Sequence, residues 1–226
     1  MKINVIDKAM KEKRTTLSEY ESKEVLSHYG IPITKENLAY NVKQCRSGVR
    51  EIGFPVVMKG CSPNIAHKSE YGLIIMDIWS MKEAEAAFEE IMAKMSDKGS
   101  AVLIQEMVRG KRELVAGLTR DDHFGPCIMF GIGGIFTEIL ADVTFRMAPF
   151  GKKEAINMTR EIRGYKILEK VRGMEAVDLE ILSDILIKLG MIGIEHPEIK
   201  EIDINPMIIS GCTPIAVDAL VVLSST

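Results

Sequence analysis

The sequence lacks the features that mark membrane proteins and exported, disulfide-rich proteins. It contains no run of about 18 apolar residues, and its first residues, MKINVIDKAMKEKR, alternate apolar and charged side chains, unlike a signal peptide. Its four cysteines form no C-x-x-C pair, which argues against a zinc motif or a disulfide framework; they are Cys45, Cys61, Cys127 and Cys212. We therefore expect a soluble, cytoplasmic protein with reduced thiols and no membrane association.

The sequence also lacks an excess of positive charge. It has 29 Lys and Arg residues against 32 Asp and Glu residues, a formal net charge of −3. Proteins that bind nucleic acid usually present a basic face, so nucleic acid is not an expected partner. Internal repeats and low-complexity tracts are absent as well. The 226 residues, 46% of them hydrophobic, can bury a substantial core in one or two domains.

Helical and strand periodicities alternate along the first half of the chain, which predicts an α+β fold of the alternating α/β kind. Two capping boxes indicate helix starts, one at Thr16 with Glu19 and one at Ser80 with Glu83. Predicted elements of the second half are strands at 111–120 and 126–130, helices at 152–163 and 178–189, and a terminal hairpin of strands at 199–209 and 214–223. The predicted domains are an N-terminal extension (1–14), a first subdomain (15–108) and a second subdomain (109–226).

The stretch from Phe54 to Gly72 places a lysine and a histidine close to one predicted strand. Lys59 is the first charged residue after a short apolar run, and we expect it at the end of that strand. Pro63 ends the regular structure, and His67 follows in a polar loop. A cation and a titratable ring in this order suit a phosphate site. The alternatives are a solvated lysine and a structural loop histidine.

The segment EIDINPM near the C-terminus predicts a metal site. In a strand, Glu201, Asp203 and Asn205 share one face, because successive side chains alternate between the two faces. Asp218 interrupts the apolar run that follows, where a carboxylate is costly to bury without a cation or donors. Magnesium prefers carboxylate and amide oxygens. We therefore predict Asp203, Asn205 and Asp218 as its ligands, with a solvated strand face as the alternative.

Two further segments carry weaker signals. LIQEMVRGKRELVAG consists of a strand, a short connection and a second strand that carries Glu113, which suits either a nucleotide-binding hinge or a plain connector. In GIGGIF, glycines allow backbone N–H groups to approach an anion, but they also serve in turns. The G-x-G-x-x-G spacing of a dinucleotide-binding unit is absent, so we expect no coenzyme A-binding Rossmann unit in this chain.

Taken together, these motifs carry a resemblance to a known family. VVMKG, SPNIAHKSEYG, LIQEMVRGKRELVAG, FGIGGIFTEILADVTFRMAP, EIDINPM and AVDAL resemble, in this order, the ATP-grasp unit of nucleoside-diphosphate-forming acyl-CoA synthetases. The resemblance is greatest to the β subunits of ADP-forming acetyl-CoA synthetases and extends from about Leu17 to Leu223. It implies an ATP-grasp fold of two α/β subdomains with the nucleotide bound between them.

The resemblance also implies roles for individual residues. His67 would accept and pass on a phosphoryl group, and Arg146 would line the transfer site. The residues implied in binding ATP or ADP are Lys59, Glu106, Met107, Val108, Glu113, Gly133 and Gly134. Asp203, Asn205 and Asp218 would bind Mg²⁺.

An acid–thiol ligase of this kind would convert acyl-CoA, ADP and phosphate into the free acid, CoA and ATP. It would need a CoA-binding α subunit as its partner, in an α2β2 assembly. The alternatives are a succinyl-CoA synthetase-like β subunit, another ATP-grasp ligase, or a nucleotide-sensing ATP-grasp module.

Overall fold

The computed structural model describes residues 3–63, 72–95, 99–134 and 142–224, and it confirms the predicted α+β class. The α-helices of this part are α1 (Asn4–Lys11), α2 (Glu19–His28), α3 (Val42–Ile52), α4 (Met81–Lys94), α5 (Lys152–Glu161) and α6 (Leu179–Glu195). A short 3₁₀ helix covers Tyr165–Leu168. The strands are β1 (Glu36–Ala39), β2 (Val56–Cys61), β3 (Ile74–Ile78), β4 (Ala101–Glu106), β5 (Glu113–Asp121), β6 (Gly125–Ile132), β7 (Val143–Met147), β8 (Ile199–Ser210), β9 (Thr213–Ala216) and β10 (Ala219–Leu223).

The smaller of two compact units comprises residues 34–108 together with 18–21. Its antiparallel sheet has the order β1-β4-β2-β3. Apolar side chains of α3 and α4 pack on one face of this sheet; they include Cys45, Val49, Ala84, Phe88 and Ile91. α4 begins as the capping box predicts, because the Ser80 hydroxyl accepts the backbone N–H of Glu83 at 3.3 Å.

The larger unit comprises residues 109–226 together with 1–17 and 22–33. Its sheet has the order β10-β8-β5-β6-β7, and β9 pairs with β8. α5 and α6 pack on one face of this sheet, and the apolar core lies between these helices and the sheet. The buried core residues contributed by β5, β6 and β8 include Leu114, Ala116, Leu118, Ile128, Phe130, Ile202 and Ile204.

The N-terminal residues pack differently from the predicted division of the chain. Residues 1–14 are not a separate extension, because α1 buries Ile6 and Ala9 in the core of the larger unit. The body of α2 belongs to the same unit, where Val25 and Leu26 are fully buried. The chain passes from the smaller to the larger unit between Val108 and Arg109.

The capping box of α2 lies two residues later than predicted. The Glu21 carboxylate accepts the backbone N–H of Ser18 at 2.9 Å, and the Ser18 hydroxyl accepts the N–H of Glu21 at 3.3 Å. This reciprocal pair satisfies donors that the first helical turn leaves unpaired. Thr16 instead forms a β-bridge with Val222. Glu19, which the prediction used for capping, is thereby available for another contact.

Within the ranges given above, no helix is long and apolar enough to cross a lipid bilayer.

Candidate functional site

The structure brings the three predicted metal ligands together in the larger unit. Ile202 and Ile204 of β8 are buried in the core, so the side chains of Asp203 and Asn205 face the other way, as predicted. The backbone N–H of Asn205 donates to the carbonyl of Asp218 at 3.2 Å. Asp218 lies in the connection between β9 and β10 rather than inside a strand.

A bulge in β8 sets the position of Asn205. Leu114 of β5 pairs with Met207 and Ala116 pairs with Ile204, so Asn205 and Pro206 together oppose the single residue Val115. Proline has no N–H to give to a ladder, and bulges are among the few places where a sheet tolerates it. The Asn-Pro sequence therefore explains why the strand bends where the amide is needed.

Electrostatics within this group favour a cation. The pKa of Asp203 is raised to about 6 by burial and by the negative charges of Glu201 and Asp218. A divalent cation would offset all three causes, since it favours the charged carboxylate. Two carboxylates and an amide oxygen are also ligands that Mg²⁺ prefers. The residues present therefore fit the metal that the sequence implies.

No three His, Cys, Asp or Glu side chains converge as a metal cluster in the portion of the chain that the structure covers. The candidate site therefore depends on the amide of Asn205 and on oxygens from outside the chain. Magnesium sites commonly have this composition, because Mg²⁺ retains water or phosphate oxygens among its ligands.

Glu113 lies on the same side of the sheet as Asp203. Gly117 pairs with Asp203 across the two strands, and Glu113 is four residues before Gly117 on β5, so the side chains of Glu113 and Asp203 share one face. We call this side the carboxylate face; its members include Glu113, Gly117, Glu201 and Asp203. Gly133 and Gly134 approach Glu113 closely. The N–H of Gly133 donates to the Glu113 carbonyl at 2.8 Å, and a Cβ at Gly134 would lie 2.7 Å from the Glu113 carboxylate.

Arg146 lies on the opposite side of the same sheet. On β7, Arg146 is the register partner of the fully buried Ile128 on β6. Its guanidinium forms ion pairs with Glu154 at 2.6 Å and with Glu161, both on α5. These carboxylates raise the pKa of Arg146 further above its ordinary value. The structure therefore does not bring Arg146 together with Glu113 and Asp203, and the two glutamates that hold it were not found by sequence reasoning.

Lys59 in the smaller unit is buried and paired with an acidic residue. It is the fourth residue of β2, not a strand-end residue as predicted, because the strand continues to Cys61. Its ammonium contacts the Glu19 carboxylate at 2.7 Å, and both side chains are almost fully buried. Sequence reasoning missed Glu19 as its partner, because the two residues are 40 positions apart.

The predicted hinge residues lie at the end of β4: Glu106 is its last residue, and Met107 and Val108 follow it. The N–H of Glu106 donates to the Lys35 carbonyl at 2.9 Å, and the Glu106 carboxylate accepts the N–H of Lys35 at 2.8 Å. The N–H of Met107 donates to the Pro55 carbonyl at 3.2 Å. Val108 forms no backbone hydrogen bond with any residue that the structure describes, so its N–H and C=O suit an adenine edge best.

His67 lies outside the described residues, as does the segment 135–141 that follows Gly134. The role assigned to His67 therefore stays a prediction from sequence.

Comparison with known proteins identifies the family. The protein-family model of the ATP-grasp domain matches residues 8–223. The chain belongs to the ATP-grasp family. Within it, the chain is 46% identical to the β subunit of acetate–CoA ligase [ADP-forming] I from Pyrococcus furiosus, over 97% of this chain and 96% of that protein. This similarity makes it a member of the ADP-forming acetate–CoA ligase β-subunit family, and confirms the resemblance that its motifs indicated.

A longer relative contains a segment that resembles this ATP-grasp chain. The chain is 39% identical to acetate–CoA ligase [ADP-forming] I from Archaeoglobus fulgidus over 81% of this chain, but the match covers only 27% of that protein.

Solved structures of one archaeal protein resemble this ATP-grasp chain throughout its length. The acetyl-coenzyme A synthetase 1 of Ca. Korarchaeum cryptofilum, in complex with coenzyme A and Ca-AMPCP, matches with a TM-score of 0.93 and 40% identity over 98% of this chain and 99% of the matched chain. A second structure of that protein contains coenzyme A and Mg-AMPPCP, and its phosphohistidine segment points towards the nucleotide binding site; it matches with a TM-score of 0.87 and 40% identity over the same shares of both chains.

Proposed function

We propose that this chain is the nucleotide-binding β subunit of an ADP-forming acetate–CoA ligase and transfers a phosphoryl group between His67 and ADP. The complete enzyme converts acyl-CoA, ADP and phosphate into the free acid, CoA and ATP. The observation that carries the proposal is the 46% identity to a β subunit of this enzyme over nearly the whole of both chains. The grouping of Asp203, Asn205 and Asp218 supports it.

The carboxylate face prepares the phosphate end of the nucleotide site. Asp203, Asn205 and Asp218 would hold Mg²⁺, which neutralises the charge that develops on the transferring phosphoryl group. In the metal-free protein, burial together with the negative charges of Glu201 and Asp218 keeps the pKa of Asp203 near 6. The protein therefore holds negative charge in place for a cation before the cation arrives.

Glu113 would accept hydrogen bonds from the ribose hydroxyls. Its carboxylate lies beside Gly134, where a Cβ would be 2.7 Å away, so glycine leaves room for both the carboxylate and a ligand. The backbone N–H of Gly133 is already used by the Glu113 carbonyl, which limits its part to holding Glu113 in position.

The smaller unit contains the Lys59 ammonium and the predicted hinge residues. Lys59 would contact the phosphates from a position that Glu19 fixes. A lysine ammonium has three N–H donors, so it can donate to a carboxylate and to a phosphate at the same time. Val108 would pair with the adenine edge through its backbone, with Glu106 and Met107 holding the hinge against residues 35 and 55. We assign Arg146 a structural role, because both of its carboxylate partners lie on α5.

The transfer step exchanges one bond for another. In the ATP-forming direction an oxygen of the ADP β-phosphate attacks the phosphorus carried by His67, the N–P bond breaks, and the ring nitrogen retains the electron pair. A neutral imidazole is a good nucleophile near pH 7, so the reverse step can proceed as well. His67 would receive its phosphoryl group from chemistry that takes place in a CoA-binding α subunit, and we propose an α2β2 assembly.

The half-reaction tests the proposal with this chain alone. Incubation with Mg²⁺ and ATP labelled in the γ-phosphate should transfer the label to the protein in an acid-labile, base-stable form, as expected for phosphohistidine. His67→Ala should abolish the label while Mg-ADP binding, measured by calorimetry, changes less than about threefold, or less than about 0.7 kcal/mol.

His123→Ala is the matched control, since His123 lies in an exposed turn at the end of β5. It should be labelled as the unaltered protein is. Labelling of His67→Ala at more than a third of the original rate would refute the relay role. Loss of Mg-ADP binding in Asp203→Asn with Asp218→Asn would confirm the metal site independently of His67.

A further inference from the structure

A cleft of about 750 Å³ in the larger unit is lined by none of the residues assigned above to the nucleotide, the metal or the phosphoryl group. Its lining comes from the connection after Val108, from the turn at residues 172–175 and from the end of β8. The volume is typical of clefts that bind small molecules. The proposed function leaves this cleft without a role.

The charges that line the cleft are almost all positive. Its basic residues are Arg109, Lys111, Arg112 and Arg172, and the single acidic residue is Glu175. The chain as a whole carries a net charge of −3, so this concentration of cations is a local feature. A concave surface with one sign of charge concentrates ligands of the opposite sign.

Arg112 is the first specific sign that the cleft takes an anion. Only 3% of its surface is exposed, and its guanidinium donates to four backbone carbonyls, at Ile167, Glu169, Glu175 and Gly211. No carboxylate forms an ion pair with it in the described portion of the chain. Buried cations are usually paired with an anion, so a ligand with negative charge would complete this environment.

Arg172 is the second sign. It has a φ of 47° and is followed by Gly173 with a φ of 81°, in a two-residue turn closed by hydrogen bonds between Val171 and Met174. Such a turn requires positive φ at both central positions and favours Asn or Gly, whereas arginine is strained there. Strained residues concentrate at binding sites, because function retains them against their cost in stability.

We propose that this cleft binds a phosphorylated small molecule with at least two phosphate charges, separately from the nucleotide that is phosphorylated. Arg172 and Lys111 at the rim contact the phosphates, since arginine matches phosphate oxygens with paired donors. Arg112 contributes a buried positive charge that four backbone carbonyls hold in place. The apolar side chains of Met174 and Ile209 leave room for an organic group beside the phosphates.

The decisive variant is Arg172→Gly, because strain and binding give opposite effects. Glycine adopts a positive φ without strain, so the variant should unfold at a higher temperature than the unaltered protein. Its affinity for the probe tripolyphosphate, measured by calorimetry in the presence of EDTA, should fall at least fivefold. Lys111→Ala with Arg172→Gly should weaken tripolyphosphate binding at least twentyfold.

Lys153→Ala with Arg160→Ala is the control, since it removes the same charge from exposed positions on α5 outside the cleft. It should change tripolyphosphate binding less than twofold, and Mg-ADP binding should be unchanged in every variant. A second probe, adenosine 3′,5′-bisphosphate, separates the sources of phosphate: tighter binding than tripolyphosphate indicates a nucleotide-like ligand, and weaker binding indicates an inorganic polyphosphate.

Equal tripolyphosphate affinity in the double cleft variant, Lys111→Ala with Arg172→Gly, and in the control would overturn the proposal. The same holds if the cleft variant keeps its affinity for both probes but loses association with a CoA-binding partner subunit, because the cations would then serve protein docking.

Discussion

At the scale of single residues, the site depends on charges that the fold brings close together. Asp203 is near Glu201 and Asp218, and Lys59 is near Glu19. The first group is an excess of negative charge, which a cation would relieve, and the second is a buried ion pair of opposite charges. The two groups therefore respond to mutation in opposite ways.

Asp203→Asn should stabilise the metal-free protein at neutral pH. The pKa of Asp203 is about 6 in the fold against 3.8 ordinarily, so the folded state holds its proton more tightly than the unfolded state does. Its favourable contribution is complete below about pH 4 and is lost as pH rises through about 6. The advantage of the variant should therefore grow across this range to about 1–2 kcal/mol, allowing for solvent screening.

Thermal unfolding between pH 4 and pH 7.5 measures this difference, with Asp122→Asn in an exposed turn as the control. Mg²⁺ with ADP should then stabilise the unaltered protein and not Asp203→Asn. A variant that is less stable than the unaltered protein at pH 7.5 without metal would contradict the cost assigned to the charged Asp203 carboxylate, which comes from its burial and from Glu201 and Asp218.

Glu19→Gln should destabilise the smaller unit by about 3 kcal/mol, because it leaves the Lys59 ammonium buried beside a neutral group. Glu24→Gln, at an exposed position of the same helix, should change stability by less than about 0.5 kcal/mol. Urea unfolding gives both values. Glu19→Leu with Lys59→Met should recover most of the stability but not Mg-ADP binding, and recovery of both would remove Lys59 from the nucleotide site.

At the scale of elements, irregular positions in the strands place the functional groups. The bulge in β8 turns Asn205 outward beside Asp218, and the end of β6 continues into glycines that approach Glu113. Both features depart from regular pairing at the point where a ligand is expected, which is a common use of bulges and strand-end glycines.

Gly134→Ala compared with Gly125→Ala separates backbone strain from crowding at Glu113. Both glycines have positive φ, at 68° and 75°, but only at Gly134 would a Cβ meet a neighbour, the Glu113 carboxylate at 2.7 Å. Each variant should lose about 1 kcal/mol of stability from strain. Only Gly134→Ala should also weaken Mg-ADP binding, by about tenfold or more, equivalent to about 1.4 kcal/mol. Equal nucleotide affinities in the two variants would argue against Glu113 as a ribose ligand.

At the scale of the whole molecule, the two units are not consecutive in sequence. Residues 1–17 and 22–33 join the unit formed by the C-terminal half, whereas 18–21 join the smaller unit. The first helix is therefore part of a core built mainly from strands more than 100 residues away.

Deletion of residues 1–14 should destabilise the larger unit by at least about 3 kcal/mol, since full burial of one isoleucine contributes about 1.5–3 kcal/mol. Ile6→Ala alone should account for a large part of this loss, and Lys8→Ala on the exposed side of α1 for almost none. Urea unfolding of the three variants tests the assignment. A deletion variant as stable as the full chain would show that these residues are the extension that the sequence suggested.

The sequence by itself determined the fold class, the family and the alternation of β8, because each depends on local period or on motifs a few residues long. Periodicity placed Asp203 opposite Ile202 and Ile204 without knowledge of any partner strand. The tertiary structure alone decided that Lys59 pairs with Glu19, that Arg146 faces α5 and that α1 lies in the core. Each of these depends on contacts between residues separated along the chain, and local patterns carry no information on which distant groups meet.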